Sequence, residues 1–161
     1  MLAARSLLLS VALVGVLASS GCKKATVTCG TKEHPKPPVS VTSPWKESTP
    51  ALASTPGVLT CDSDARHVEG VGAAPATWSA TGDAIIGQLK SQGWVDNPYA
   101  TGGVAIRREA DAVRFELKKG NDILCGYVSS LNSKHLEGNA FHFHYGTFNK
   151  DTGHCMEWTG I

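Results

Sequence analysis

The sequence predicts an α+β domain: one helix packed across one face of an antiparallel sheet of about five strands, stapled by disulfides. Three observations lead there. Apolar residues recur at helical spacing around Ile85, Ile86 and Leu89. From Val104 onward the period changes to two, the pattern of half-buried strands. Four cysteines, Cys29, Cys61, Cys125 and Cys155, are scattered with no CxxC pair, so structural bridges fit better than a redox motif or a zinc knuckle.

The helix has its own punctuation. Ser79 or Thr81 can cap its start, Asp83 favours the positive end of the dipole, and Gly93 can end it. Its apolar face, with Trp94 just beyond, is predicted as core. Val104 and Ile106 then alternate with Ala105 and Arg107. Val113, Phe115 and Leu117 alternate with Arg114, Glu116 and Lys118, which leaves Arg114 and Glu116 on a solvated face. Residues 109–111 and 119–122 have turn composition, and 123–128 forms the next strand. A polar connection over 129–138 leads to a closing hairpin, with strands at 140–148 and 154–159 around a turn at 149–153.

The amino terminus carries a different signal. Arg5 precedes an apolar run over residues 7–18, then the small residues Ser19, Ser20 and Gly21, then Cys22, Lys23 and Lys24. The run is too short for a spanning helix, which needs roughly 20 apolar residues. A positive start, a short apolar stretch and small residues before a cut are the parts of an export signal. Residues 1–21 resemble a bacterial lipoprotein signal peptide, with Cys22 as the first residue of the mature chain. The resemblance covers about the first two dozen residues. It implies acylation of Cys22, membrane attachment through that lipid and residence in the cell envelope. Lipoproteins of this kind prefer Leu three residues before the cysteine, where this chain has Ser19. A rival cut after Ala18 suits ordinary secretion and leaves Cys22 as a plain thiol. Asp after the cysteine marks inner-membrane retention in the family, and Lys23 points instead to the outer membrane.

Cysteine parity supports lipidation separately. Five cysteines are odd for an exported chain. With Cys22 acylated, the other four can form two disulfides, by any of three pairings.

Loss of residues 1–21 removes Arg5 and leaves 14 basic against 14 acidic side chains. There is no basic stripe, so nucleic acid is not an expected partner. Residues 22–57 hold the lipidated cysteine and a Pro/Ser/Thr-rich tether containing six of the eight prolines. Fully extended, it would reach on the order of 100 Å. Trp45 is unusual there and suggests docking onto the domain, which spans 58–161. The strand-like pieces ending in Cys29 and Cys61 flank the tether, and a bond between them would close it into a loop.

The chemistry-bearing pattern is the run Phe141-His142-Phe143-His144-Tyr145. Alternation places the aromatics on one face and both histidines on the other. His142 and His144, with His154 across the hairpin and Glu157 nearby, are candidate ligands for zinc or copper. The simpler reading is a polar sheet face with the aromatics as core. No GxSxG, HExxH or phosphate loop occurs. Ser129-Ser130 and the Asp62-Ser63-Asp64 loop carry no patterned partner, nor do His34, His67 and His135. The expected function is therefore a lipid-anchored envelope protein with a non-catalytic binding or structural domain that needs no cofactor. The alternative is a metal-binding lipoprotein.

Overall fold

A computed structural model describes residues 27–30, 33–130, 140–148 and 155. In chain order these residues form β1 (Cys29–Gly30), β2 (Pro35–Lys36), a one-turn helix α1 (Trp45–Ser48), β3 (Val58–Ser63), β4 (His67–Gly72), α2 (Trp78–Ser91), β5 (Val95–Asp96), β6 (Ile106–Arg108), β7 (Ala112–Lys119), β8 (Asp122–Ser129) and β9 (Phe141–Phe148). Strands β1 and β2 pair with each other. The other seven form one antiparallel sheet in the order β3-β4-β9-β8-β7-β5, with β6 also on β7.

The predicted α+β class with about five strands is corrected by this sheet. The protein is mainly β: the described residues form seven strands in the principal sheet, two more in a small one, and a single helix longer than one turn. The surplus comes mostly from β3 and β4. The start of β3 is legible as the strand-like piece ending in Cys61, but the alternation of β4 is concealed, because it carries Gly70 and Gly72 where a core strand normally shows large side chains. Gly70 lies opposite Phe143 and Gly72 opposite Phe141. A Cβ at either position would overlap the facing phenyl ring. Gly126 on β8 plays the same part beneath Phe115. The rings thus fill the volume that the glycines leave empty.

Helix α2 packs across β7, β8 and β9. Ile85, Ile86 and Leu89 face the sheet and are buried, as their spacing predicts. Each such side chain contributes about 1.5–3 kcal/mol of burial free energy. The start lies earlier than the predicted Ser79 or Thr81: Thr77 is the cap, its hydroxyl accepting the Ala80 N–H at 3.3 Å. Thr81 is instead buried inside the helix. Gly93 ends the helix at φ +88°, the left-handed conformation that glycine adopts most readily. The Gly93 N–H reaches Lys90 and the Trp94 N–H reaches Leu89, closing a Schellman cap.

Strands β7 and β8 pair from Ala112–Ser129 to Lys119–Asp122, around a two-residue turn. Gly120 in that turn has φ +60°, as tight hairpins require. Apart from Cys155, the predicted closing strand over 154–159 lies outside the described residues, as do its turn and most of the 129–138 connection.

The proline-rich segment does not hang free of the sheet. Residues 39–57 form a strap that places Val41, Trp45 and Leu52 in the same core as Val68, Phe143 and Tyr145. The Trp45 ring meets Tyr145 edge-on, with centroids 5.5 Å apart. The Val39 N–H donates to the Thr60 carbonyl, and the Ala51 N–H to the Gln88 side chain. A tether composition is therefore compatible with packing, because three well-spaced apolar anchors suffice. Disulfides join Cys29 to Cys61 and Cys125 to Cys155. Cys61 is the extra residue of a β-bulge, where Thr60 pairs Gly70 and Asp62 pairs Glu69.

Candidate functional site

The sheet has two unlike faces. Strand β9 turns Phe141, Phe143 and Tyr145 into the core beneath α2 and the strap, all fully buried. His142 and His144 point the other way. Register then decides what meets them. His144 lies opposite Glu69 on β4 and Tyr127 on β8, and His142 lies opposite Val71 and Ser129. His67 shares this face beside Gly146. Three histidines, a glutamate and a tyrosine from three adjacent strands are thereby collected.

His142 is held at both ring nitrogens. Nε2 lies 3.0 Å from Glu69 Oε1 and Nδ1 lies 2.9 Å from the Tyr127 hydroxyl. An ionised carboxylate only accepts, so Nε2 carries the proton and donates to Glu69. Neutral His142 then accepts the Tyr127 O–H at Nδ1. The bond from His142 holds the Glu69 carboxyl below the usual range against the opposing effect of burial, and His142, His144 and His67 lower it further whenever their rings are protonated. Burial pushes the Tyr127 phenol up to about 12, and the negative charge on Glu69 acts in the same direction. Burial also pushes His144 down to about 4, so it is neutral near pH 7. The His144 ring sits 5.2 Å from that of His67.

His67 anchors the outer end of the array. Its ring nitrogens lie 3.4 Å from Asp62 and 3.1 Å from Asp64. Asp64 also accepts the N–H groups of Arg66 and His67 in a tight turn, and these bonds hold its carboxyl below the usual range. Asp62 near the end of β3, Asp64 in the turn and His67 at the start of β4 thus converge, so the segment expected as a loop is in part strand.

The structure brings His142 and His144 together on one face. His154 and Glu157 lie outside the described residues. Both nitrogens of His142 already have partners, so a metal there would have to displace Glu69 or Tyr127. Among the described residues no group of three or more His, Cys, Asp or Glu is arranged to hold a metal ion. Ser129 and Ser130 both donate hydroxyls to the Asp111 carbonyl, closing the end of the β7–β8 pair.

One expectation for this face changes. Glu116 is buried rather than solvated, and its Oε1 accepts the Thr101 N–H. Arg114 stays partly exposed, as expected, and pairs with Glu109 at 3.3 Å. Sequence reasoning also missed Glu69 and Tyr127. The alternation His67-Val68-Glu69 is a signal for Glu69, but only register places it beside β9.

No known protein family, curated protein or solved structure matches this chain.

Proposed function

We propose that this is an exported, lipid-anchored protein of the cell envelope. Its β domain binds a partner through the Glu69–His142–Tyr127 face and catalyses no reaction. The observation that carries the anchoring reading is the pairing of the cysteines. Cys29 with Cys61 and Cys125 with Cys155 use all four candidates and leave Cys22 as the odd one of five. Two bridges suit an oxidising compartment, and an odd thiol there calls for a chemical fate such as acylation. Lys23 at the following position favours the outer membrane.

The binding reading rests on the state of the polar face. Its side chains are half-buried and hydrogen-bonded to one another, so they are already oriented for a polar partner. A catalytic use is disfavoured by the same groups. The chain of bonds from Glu69 through His142 ends on a phenol whose pKa is pushed up to about 12, a poor nucleophile near neutrality.

Intact-mass measurement of the protein extracted from membranes tests the anchor. The expected species begins at Cys22, carries acyl groups there and contains two disulfides. A mature chain starting at Ser19 with a bare Cys22 would falsify this. Crosslinking in cells tests the binding face, with partner recovery expected to fall in Glu69→Lys.

A further inference from the structure

We infer that the domain sits against the phospholipid surface, with its β3 edge and the proline-rich strap nearest the bilayer, rather than being held away on a stalk. The inference rests on the lipid anchor proposed for Cys22 and adds an orientation and a distance to it.

Two independent features shorten the leash. Residues 39–57 fold back onto the sheet through Val41, Trp45 and Leu52, so they add no reach. The Cys29–Cys61 disulfide then fixes the chain to the sheet still earlier, at β3. Cys22 precedes Cys29 by seven residues. Even fully extended, that length spans at most about 25 Å. The leash therefore has only about a quarter of the reach that the whole proline-rich segment would have if extended.

The attachment point also selects a side. Cys61 lies on β3, one edge of the sheet. Strand β5 lies at the other edge, five strand spacings away, or about 24 Å. A leash of about 25 Å fixed at one edge makes the two edges inequivalent toward the membrane. The near side carries an open cleft of about 540 Å³ between the strap and β3, lined by apolar residues such as Val39, Val41 and Leu59 together with Lys46, Thr49 and Thr60. Val39 is exposed at this edge, and its N–H is bonded to Thr60. A cleft that combines apolar side chains with a lysine, beside the anchored edge, suits the interfacial layer of a bilayer better than bulk water.

Energy transfer to the membrane tests this. A fluorescent amino acid replaces exposed Val39 in one sample and exposed Val95 on β5 in another. The lipidated proteins are reconstituted into phosphatidylethanolamine/phosphatidylglycerol vesicles with an acceptor dye on the headgroups. Transfer from position 39 is expected to exceed that from position 95. Inserting about 20 Gly/Ser residues between Lys24 and Ala25 leaves the fold intact and lengthens the leash. It is expected to reduce transfer at position 39 to the level at position 95. Equal transfer from the two positions, stronger transfer from 95, or no effect of the insertion overturns the inference. If the extracted protein has a bare Cys22, the anchoring reading fails by itself. Coupling that thiol to a maleimide lipid still measures the leash, with the same outcomes deciding.

Discussion

The Tyr145 hydroxyl lies 2.6 Å from Thr49 Oγ1, a bond that ties the strap to a central strand across 96 residues of sequence. Thr49 Oγ1 also donates to the Trp45 carbonyl at 3.0 Å. A hydroxyl has one proton, so Tyr145 is the donor in the pair. The two deletions are therefore unequal. Tyr145→Phe leaves Thr49 still bonded to Trp45, and is expected to cost about 0.5–1.5 kcal/mol. Thr49→Val strands a buried phenol and is expected to cost about 1–3 kcal/mol. Denaturant unfolding of both variants measures the order, and a larger loss for Tyr145→Phe would reverse the donor assignment.

Glycines separate into two kinds. Gly70 lies under the Phe143 ring and beside the Leu59 carbonyl, neither of which can move cheaply. Gly70→Ala is expected to destabilise by about 1–3 kcal/mol through overpacking. Gly87 is exposed inside α2, and nothing lies within 4 Å of a Cβ there. Gly87→Ala is expected to stabilise by about 0.5–1 kcal/mol, because alanine is the better helix former. Thermal melts of the two variants should shift in opposite directions.

This contrast also explains which parts of the fold were readable. Helix α2 and the β7–β8 hairpin declare themselves locally, through Ile85 and Leu89 at helical spacing and Val113, Phe115 and Leu117 at a period of two. Strand β4 does not, since its core positions hold glycines whose filling comes from β9, about 70 residues later. The strap was legible only at Trp45, an aromatic out of place in a tether; Val41 and Leu52 are too sparse to form a pattern, and the burial of all three depends on a sheet built elsewhere. At the site, alternation alone puts His142 and His144 on one face. Glu69, Tyr127 and His67 join them only through register, which no local window contains.

Acid should weaken the protein through His144. Its pKa falls from 6.5 to about 4 on folding, chiefly by burial. Glu69 and Asp62 oppose that shift, while His67 and His142 reinforce it. Between these values the unfolded chain binds more protons, so stability rises with pH there. The contribution is complete above pH 6.5 and is lost as pH falls toward 4. Glu69, also depressed, adds a second loss below about pH 4.5, as it takes up its proton at lower pH in the folded state. Unfolding midpoints measured across this range are expected to fall less steeply between pH 6.5 and 4 in His144→Gln. An unchanged slope would place the titrating group elsewhere.

Metal dependence separates the two functional readings. With Glu69 and Tyr127 occupying both nitrogens of His142, chelation is expected to leave the melting temperature unchanged. Added zinc is likewise expected to leave it unchanged. A rise with zinc that vanishes when His142→Ala and His144→Ala are combined would establish the alternative metal site.

The Cys29–Cys61 bridge provides the last expectation. It closes a loop with a sequence separation of 32 residues. In the chain-entropy account, such a cross-link stabilises by about 3–4 kcal/mol by restricting the unfolded state. The strap inside that loop is also fastened by Trp45, Val41 and Leu52, which are buried in the core. Replacing both cysteines by alanine is therefore expected to lower stability by roughly that amount while leaving the Trp45–Tyr145 contact in place. Near-ultraviolet circular dichroism should stay native-like in dilute buffer while the denaturant midpoint drops. Loss of the aromatic signal without denaturant would mean that the bridge, rather than the apolar anchors, holds the strap on the sheet.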